Sequence, residues 1–151
     1  MGSYQQSQLL RLAHEKLQSG HLDEAQQLYN ESLRKWPLLP AASFGLGVIL
    51  KTKGLIRKSL IHFKTALQRE PTNEVYWITY IQGLVSAGEL KAAGEVIEQA
   101  KSRGLNDNYI VRLVNQLQAT LAIKTPISLK QLTQYLASSN LIVAVKLSRM
   151  E

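Results

Sequence analysis

Gly20, Gly54 and Gly88 stand 34 residues apart. Five residues after each glycine comes a small side chain: Ala25, Ser59, Ala93. Twelve after comes another: Ser32, Ala66, Ala100. Seventeen after stand Pro37, Pro71 and then Leu105, where the proline is lost. A fixed period of this length marks an architecture of stacked repeats, each too small to bury its own apolar face. Stacks of this kind present a surface far more often than a catalytic centre.

The repeats run over residues 6–39, 40–73 and 74–107. Each contains two stretches of helical periodicity separated by the glycine. In the first repeat these are Leu9, Leu12 and Ala13, then Leu22, Ala25, Leu28, Tyr29 and Leu33. The glycine suits a helix C-terminus, where the left-handed conformation costs it least. Asp23 and Glu24 then suit the first turn of the next helix, near its positive dipole end. Pro37 and Pro71 stop the second helix of their repeats, and Gly104-Leu105 does so in the third. Helices approach to about 8–10 Å only where contact residues are small. The periodic Ala and Ser positions, with Gly45 and Gly47, are therefore expected at helix crossings. Leu12, Tyr29, Leu46, Phe63, Trp77, Tyr80 and Ile97 are expected to fill the gaps between helices.

These residues resemble the tetratricopeptide repeat (TPR). Its pattern appears as Leu9, Leu12-Ala13, Lys16, Gly20, Ala25, Tyr29, Ser32, Pro37, then as Ser43, Leu46-Gly47, Leu50, Gly54, Ser59, Phe63, Ala66, Pro71. The third copy reads Trp77, Tyr80-Ile81, Leu84, Gly88, Ala93, Ile97, Ala100, Leu105. The resemblance implies an all-α fold, a right-handed superhelix of antiparallel helix pairs. It comprises three repeats plus a C-terminal helix and a partial further repeat. The extra helix is expected over residues 109–122, completing an array over 6–122; 123–128 reads as a linker. Residues 129–151 read as a partial repeat, with Asn140 in the glycine's place, or as helices that fill the groove. This last unit ends without a stop signal. The chain is therefore expected to be part of a longer protein, with Met1-Gly2-Ser3 left by expression.

Composition narrows the chemistry. There are no cysteines, which excludes disulfides and cysteine–zinc frameworks. No apolar run approaches the ~20 residues of a membrane span, so a cytoplasmic protein is expected. His14, His21 and His62 form no pair at helical spacing and suggest no metal site. Glu95 and Glu98 are expected on a solvated face. No catalytic residue and no cofactor is expected. The net charge of +7 is uneven. The second repeat holds six basic residues against Glu70 alone. Four of them, Lys51, Lys53, Arg57 and Lys58, fall in one short stretch, a candidate anion site or a solvated turn. Nucleic acid is not the expected partner, for want of exposed aromatics or a recognition helix.

The resemblance also implies that the first helix of each repeat lines a concave face. The inward positions are Leu10, His14 and Leu17, then Phe44, Val48 and Lys51, then Ile78, Gln82 and Val85, with Ser7, Ala41 and Val75 at the helix starts. This stripe is largely apolar. The family's clamp for C-terminal carboxylates would need Lys, Asn and Arg where this chain has Leu10, His14, Gly45, Val75 and Thr79. Its asparagine ladder would fall on Arg11, Gly45 and Thr79. Both modes are absent. The expected function is a non-enzymatic scaffold binding an apolar or amphipathic peptide or helix. Two alternatives stand beside it. The third repeat, the lone helix after it and the restarting repeat also resemble the TPR region preceding some bacterial glycosyltransferase and sulfotransferase domains, which implies a recruiting arm. A self-assembling module is the other.

Overall fold

The computed structural model describes residues 2–105 together with Asn108, Val111, Arg112, Asn115 and Ala119, which are helical. The rest of the expected helix over 109–122, the linker 123–128 and the unit 129–151 lie outside the described residues. Among the described residues, six helices are named: α1 (Gly2–Gln18), α2 (Leu22–Lys35), α3 (Pro40–Thr52), α4 (Ile56–Arg69), α5 (Glu74–Ser86) and α6 (Leu90–Ser102). They form antiparallel pairs in three repeats, an all-α, TPR-like fold. The chain divides into two compact units, Met1–Tyr80 and Ile81–Glu151, the boundary falling within α5.

The glycine period is a period of helix ends. Gly20, Gly54 and Gly88 adopt φ of 80°, 80° and 79°, the left-handed region that a Cβ disfavours. At Gly54 the amide donates to the Lys51 carbonyl at 3.0 Å and the next amide, Leu55, to Leu50 at 2.8 Å. That pair of bonds is the Schellman motif, and it satisfies carbonyls the helix leaves open. Gly88 and Gly104 repeat it, the latter ending α6 with φ 81°. Pro37 and Pro71 follow α2 and α4, as expected, and Pro40 opens α3 at its first turn.

The first unit is built on small residues. Ala25, Ser32, Ser59 and Ala66 are fully buried. The two hydroxyls are satisfied within their own helices: Ser32 donates to the Leu28 carbonyl and Ser59 to that of Ile56. Ala13, Ala25, Tyr29, Ala42, Leu46 and Ile49 form a core shared by α1, α2 and α3, with Leu10, Leu17 and Leu28 packed against it. Gly45 and Gly47 sit where two rings bear on α3. A Cβ at Gly45 would collide with the tip of the Tyr29 ring, and one at Gly47 would lie 2.5 Å from Phe63 Cε1. Trp77 is buried, and its indole N–H donates to the Pro71 carbonyl at 2.8 Å.

Two expected gap-fillers are not buried: Tyr80 is half-buried and Leu12 is exposed. Leu12 is 43% exposed, whereas its repeat equivalent Leu46 is 5% exposed. Leu46 faces the core that α2 helps to build; Leu12 has no preceding helix to meet among the described residues. In the second unit, Ile81, Leu84, Leu90, Ala93, Val96, Ile97 and Ala100 are buried. Glu98 departs from the expected solvated face. Its Oε1 is buried and has no hydrogen-bond partner among the described residues, although Glu95 is exposed.

Candidate protein-binding face

The 34-residue period places the stripe residues of the first unit in equivalent positions on α1, α3 and the start of α5. Leu10, Phe44 and Ile78 form one set, His14 and Val48 a second, Leu17 and Lys51 a third. Leu10, Leu17, Phe44, Val48 and Ile78 are all half-buried, and His14 and Lys51 are exposed. A half-buried apolar side chain gives part of its surface to the core and leaves part open. Leu10 and Leu17 give theirs to the core around Ala13 and Leu46. Gln82 and Val85 belong to the second unit. Gln82 is half-buried, but Val85 is buried, so it is a packing residue and not an open groove residue.

Phe44 has more structural work than its register implied. Its ring stacks on Tyr76 at 4.8 Å between centroids, 29° from parallel, and meets Phe63 at 5.5 Å and 49°. Aromatic pairs at such separations contribute beyond their buried area. Phe44 therefore joins α3, α4 and α5 while presenting its remaining surface. Tyr76 is itself buried, and its hydroxyl bonds the Glu70 carboxylate. Burial first, and then the Glu70 charge and hydrogen bond, push the phenol from 10.0 up to about 12. Asn73 caps this corner, its Oδ1 accepting from the Val75 amide at 3.1 Å.

The four cations of the basic stretch are not equivalent. Lys51 closes α3, Lys53 lies in the turn, and Arg57 and Lys58 open α4. All four are exposed. Lys53 is committed to the neighbouring repeat: its Nζ donates to Asp23 Oδ1 at 2.8 Å and to Gln26 Oε1 at 2.9 Å. Glu24 likewise holds Lys16 of α1 at 2.6 Å. The hydrogen bond and charge of Lys53 lower the Asp23 carboxyl, and those of Lys16 lower Glu24. The acidic first turn of α2 thus ties it to α1 on one side and to the end of α3 on the other.

The histidines are dispersed. His14 is exposed, His21 Nδ1 lies 3.0 Å from Ser19 Oγ, and burial lowers the His62 imidazole. Among the described residues no group of three or more His, Cys, Asp or Glu is placed to hold a metal ion. Nor is any described helix long and apolar enough to cross a membrane.

No family model and no curated protein matches the chain. Solved structures do. The type III secretion translocator chaperone SycD of Yersinia enterocolitica matches with a TM-score of 0.56 at 16% identity, over 100% of this chain and 90% of that one. PcrH, solved in complex with the chaperone-binding region of PopD, gives 0.60 at 15% identity, over 100% and 97%. Pseudomonas aeruginosa pilF gives 0.63 at 17% identity, over 93% and 72%. No link to a glycosyltransferase or sulfotransferase emerges. At these identities the likeness is one of fold: helix pairs stacked as in TPR proteins.

Proposed function

We propose that the chain is a non-enzymatic protein-interaction module, and that the α1–α3 face receives an apolar or amphipathic peptide or helix. The observation that carries this is the row of half-buried apolar side chains Leu10 and Phe44, 34 residues apart on adjacent first helices, with half-buried Val48 one turn further along α3. Partly exposed apolar surface gathered on one face marks an interaction site more often than scattered single residues do. An amphipathic helix laid in a groove reads such a row through side chains at i, i+3, i+4 and i+7. Two solved structures of similar fold support the mode. SycD has been solved with a peptide of the translocator YopD, and PcrH with the chaperone-binding region of PopD. The partner is a protein, with no cofactor, in a cytoplasmic setting.

Val48 is the side chain to test. It is half-buried and outside both the α1–α3 core and the Phe44 stack. Val48→Glu is expected to weaken binding of a fluorescent leucine-faced helical peptide at least tenfold while the cooperative melt is retained. Unchanged affinity in a folded Val48→Glu protein would contradict the assignment of this face.

A further inference from the structure

We infer that the α3–α4 corner carrying Lys51 and Lys58 is a docking site for the carboxylates of an acidic segment, one that continues from the peptide on the α1–α3 face. Three observations converge on it.

The first is an inversion of charge at equivalent positions. In α2 the first turn holds Asp23 and Glu24, which suit the helix dipole and each take a lysine. One repeat later the same positions are Arg57 and Lys58, and the first turn of α4 holds no acidic residue. Cations at a helix N-terminus oppose the dipole. Folding gains nothing from Lys58 there, and a local rule broken without a compensating contact is the mark of a functional position.

The second is the lack of a counter-charge. Lys51 and Lys58 are exposed and make no ion pair among the described residues. The one carboxylate of this repeat, Glu70, follows the far end of α4, some 20 Å along a helix of 14 residues. It is engaged by Tyr76 and Asn73. Lys53 is held by Asp23 and contributes field more than a free hand.

The third is continuity. Lys51 belongs to the basic corner and also to the apolar stripe, as the equivalent of Leu17. Between the two lysines stands Leu55, 43% exposed. A peptide leaving the α1–α3 face past Lys51 would meet an apolar contact and then Lys58. Two free lysines fall short of the four to eight basic residues that anchor a chain on an acidic membrane. They match the few carboxylates of a peptide end.

The inference rests on the proposed groove, and the test separates the two. Three synthetic helices serve as probes for the full chain: one with a leucine face and a short glutamate tail, one with the same face and a glutamine tail, and one with a polar face and the glutamate tail. The glutamate-tailed leucine helix is expected to bind about three- to tenfold more tightly than its glutamine twin at low salt. The difference should vanish near 0.5 M salt, where screening shortens to a few ångströms, and in Lys51→Glu/Lys58→Glu. Equal binding of the two leucine helices overturns the corner and leaves the groove standing. Binding that follows the tail whichever face is present keeps the corner and overturns the groove. No binding by any probe overturns both. Tighter binding of a DNA oligonucleotide of matched charge overturns the peptide assignment. Because Lys58 opposes the dipole, Lys58→Glu should lose tail binding while its melting temperature rises. A fall in melting temperature would show that Lys58 serves the fold instead.

Discussion

Gly47→Ala is the substitution whose outcome the packing determines most sharply. In an unpacked helix the change is favourable by about 1 kcal/mol, because alanine has the higher helix propensity. In this structure a Cβ at position 47 would stand 2.5 Å from Phe63 Cε1 and 2.6 Å from Cδ1, whereas ordinary contact begins near 3.4 Å. The ring must retreat by about 1 Å, yet Phe63 is fully buried and packs on Phe44. Overpacking of this kind costs about 1–3 kcal/mol. Set against the propensity gain, the net change runs from about zero to a 2 kcal/mol loss. Urea unfolding followed by circular dichroism measures it. The same substitution in a Phe63→Leu background should cost at least 0.5 kcal/mol less, since contacting residues couple by about that much or more. A stabilisation of about 1 kcal/mol in both backgrounds would refute the ring-on-glycine contact.

Other outcomes rest on single contacts. Trp77→Ala should cost about 3–5 kcal/mol, because the indole is buried and its N–H holds the Pro71 carbonyl; a loss below about 1 kcal/mol in urea unfolding would put the repeat register in error. Tyr76 holds its proton more tightly folded than unfolded. Its contribution is therefore complete below pH 10 and lost as pH rises from 10.0 through about 12. Tyr76→Phe should flatten that part of the stability profile; an unchanged slope would contradict the buried Tyr76–Glu70 bond. Lys58→Glu restores an acidic first turn to α4 and should add about 0.3–1 kcal/mol at low salt, a gain that thermal unfolding in high salt should erase.

What the sequence disclosed depended on how local its cause is. The turns at Gly20, Gly54 and Gly88 arise from one residue and its two neighbours, so the period alone located them. The small residues Ala25, Ser59 and Ala93 were legible because a helix crossing requires them, and all three are fully buried. Leu12 was not, because burial at its position depends on a helix from the repeat before. Phe44 looked like a groove residue by register, but its stack on Tyr76 arises across two helices far apart in sequence. The Lys53–Asp23 pair joins residues 30 apart, so the basic stretch read as four equal cations although Lys53 is committed to the neighbouring repeat. Glu98 looked solvated because its neighbours on α6 are charged, and only packing buries one of its oxygens.

A peptide that binds on the α1–α3 face must perturb the residues of that face. Titration of the isotope-labelled chain with the leucine-faced helix, monitored by amide and methyl chemical shifts, reads this out residue by residue. The largest shifts are expected at Leu10, Phe44 and Val48, joined by Lys51 when the glutamate tail is present. Saturable shifts centred instead on the outer face of α4, around the exposed Ile61, would contradict binding on the α1–α3 face.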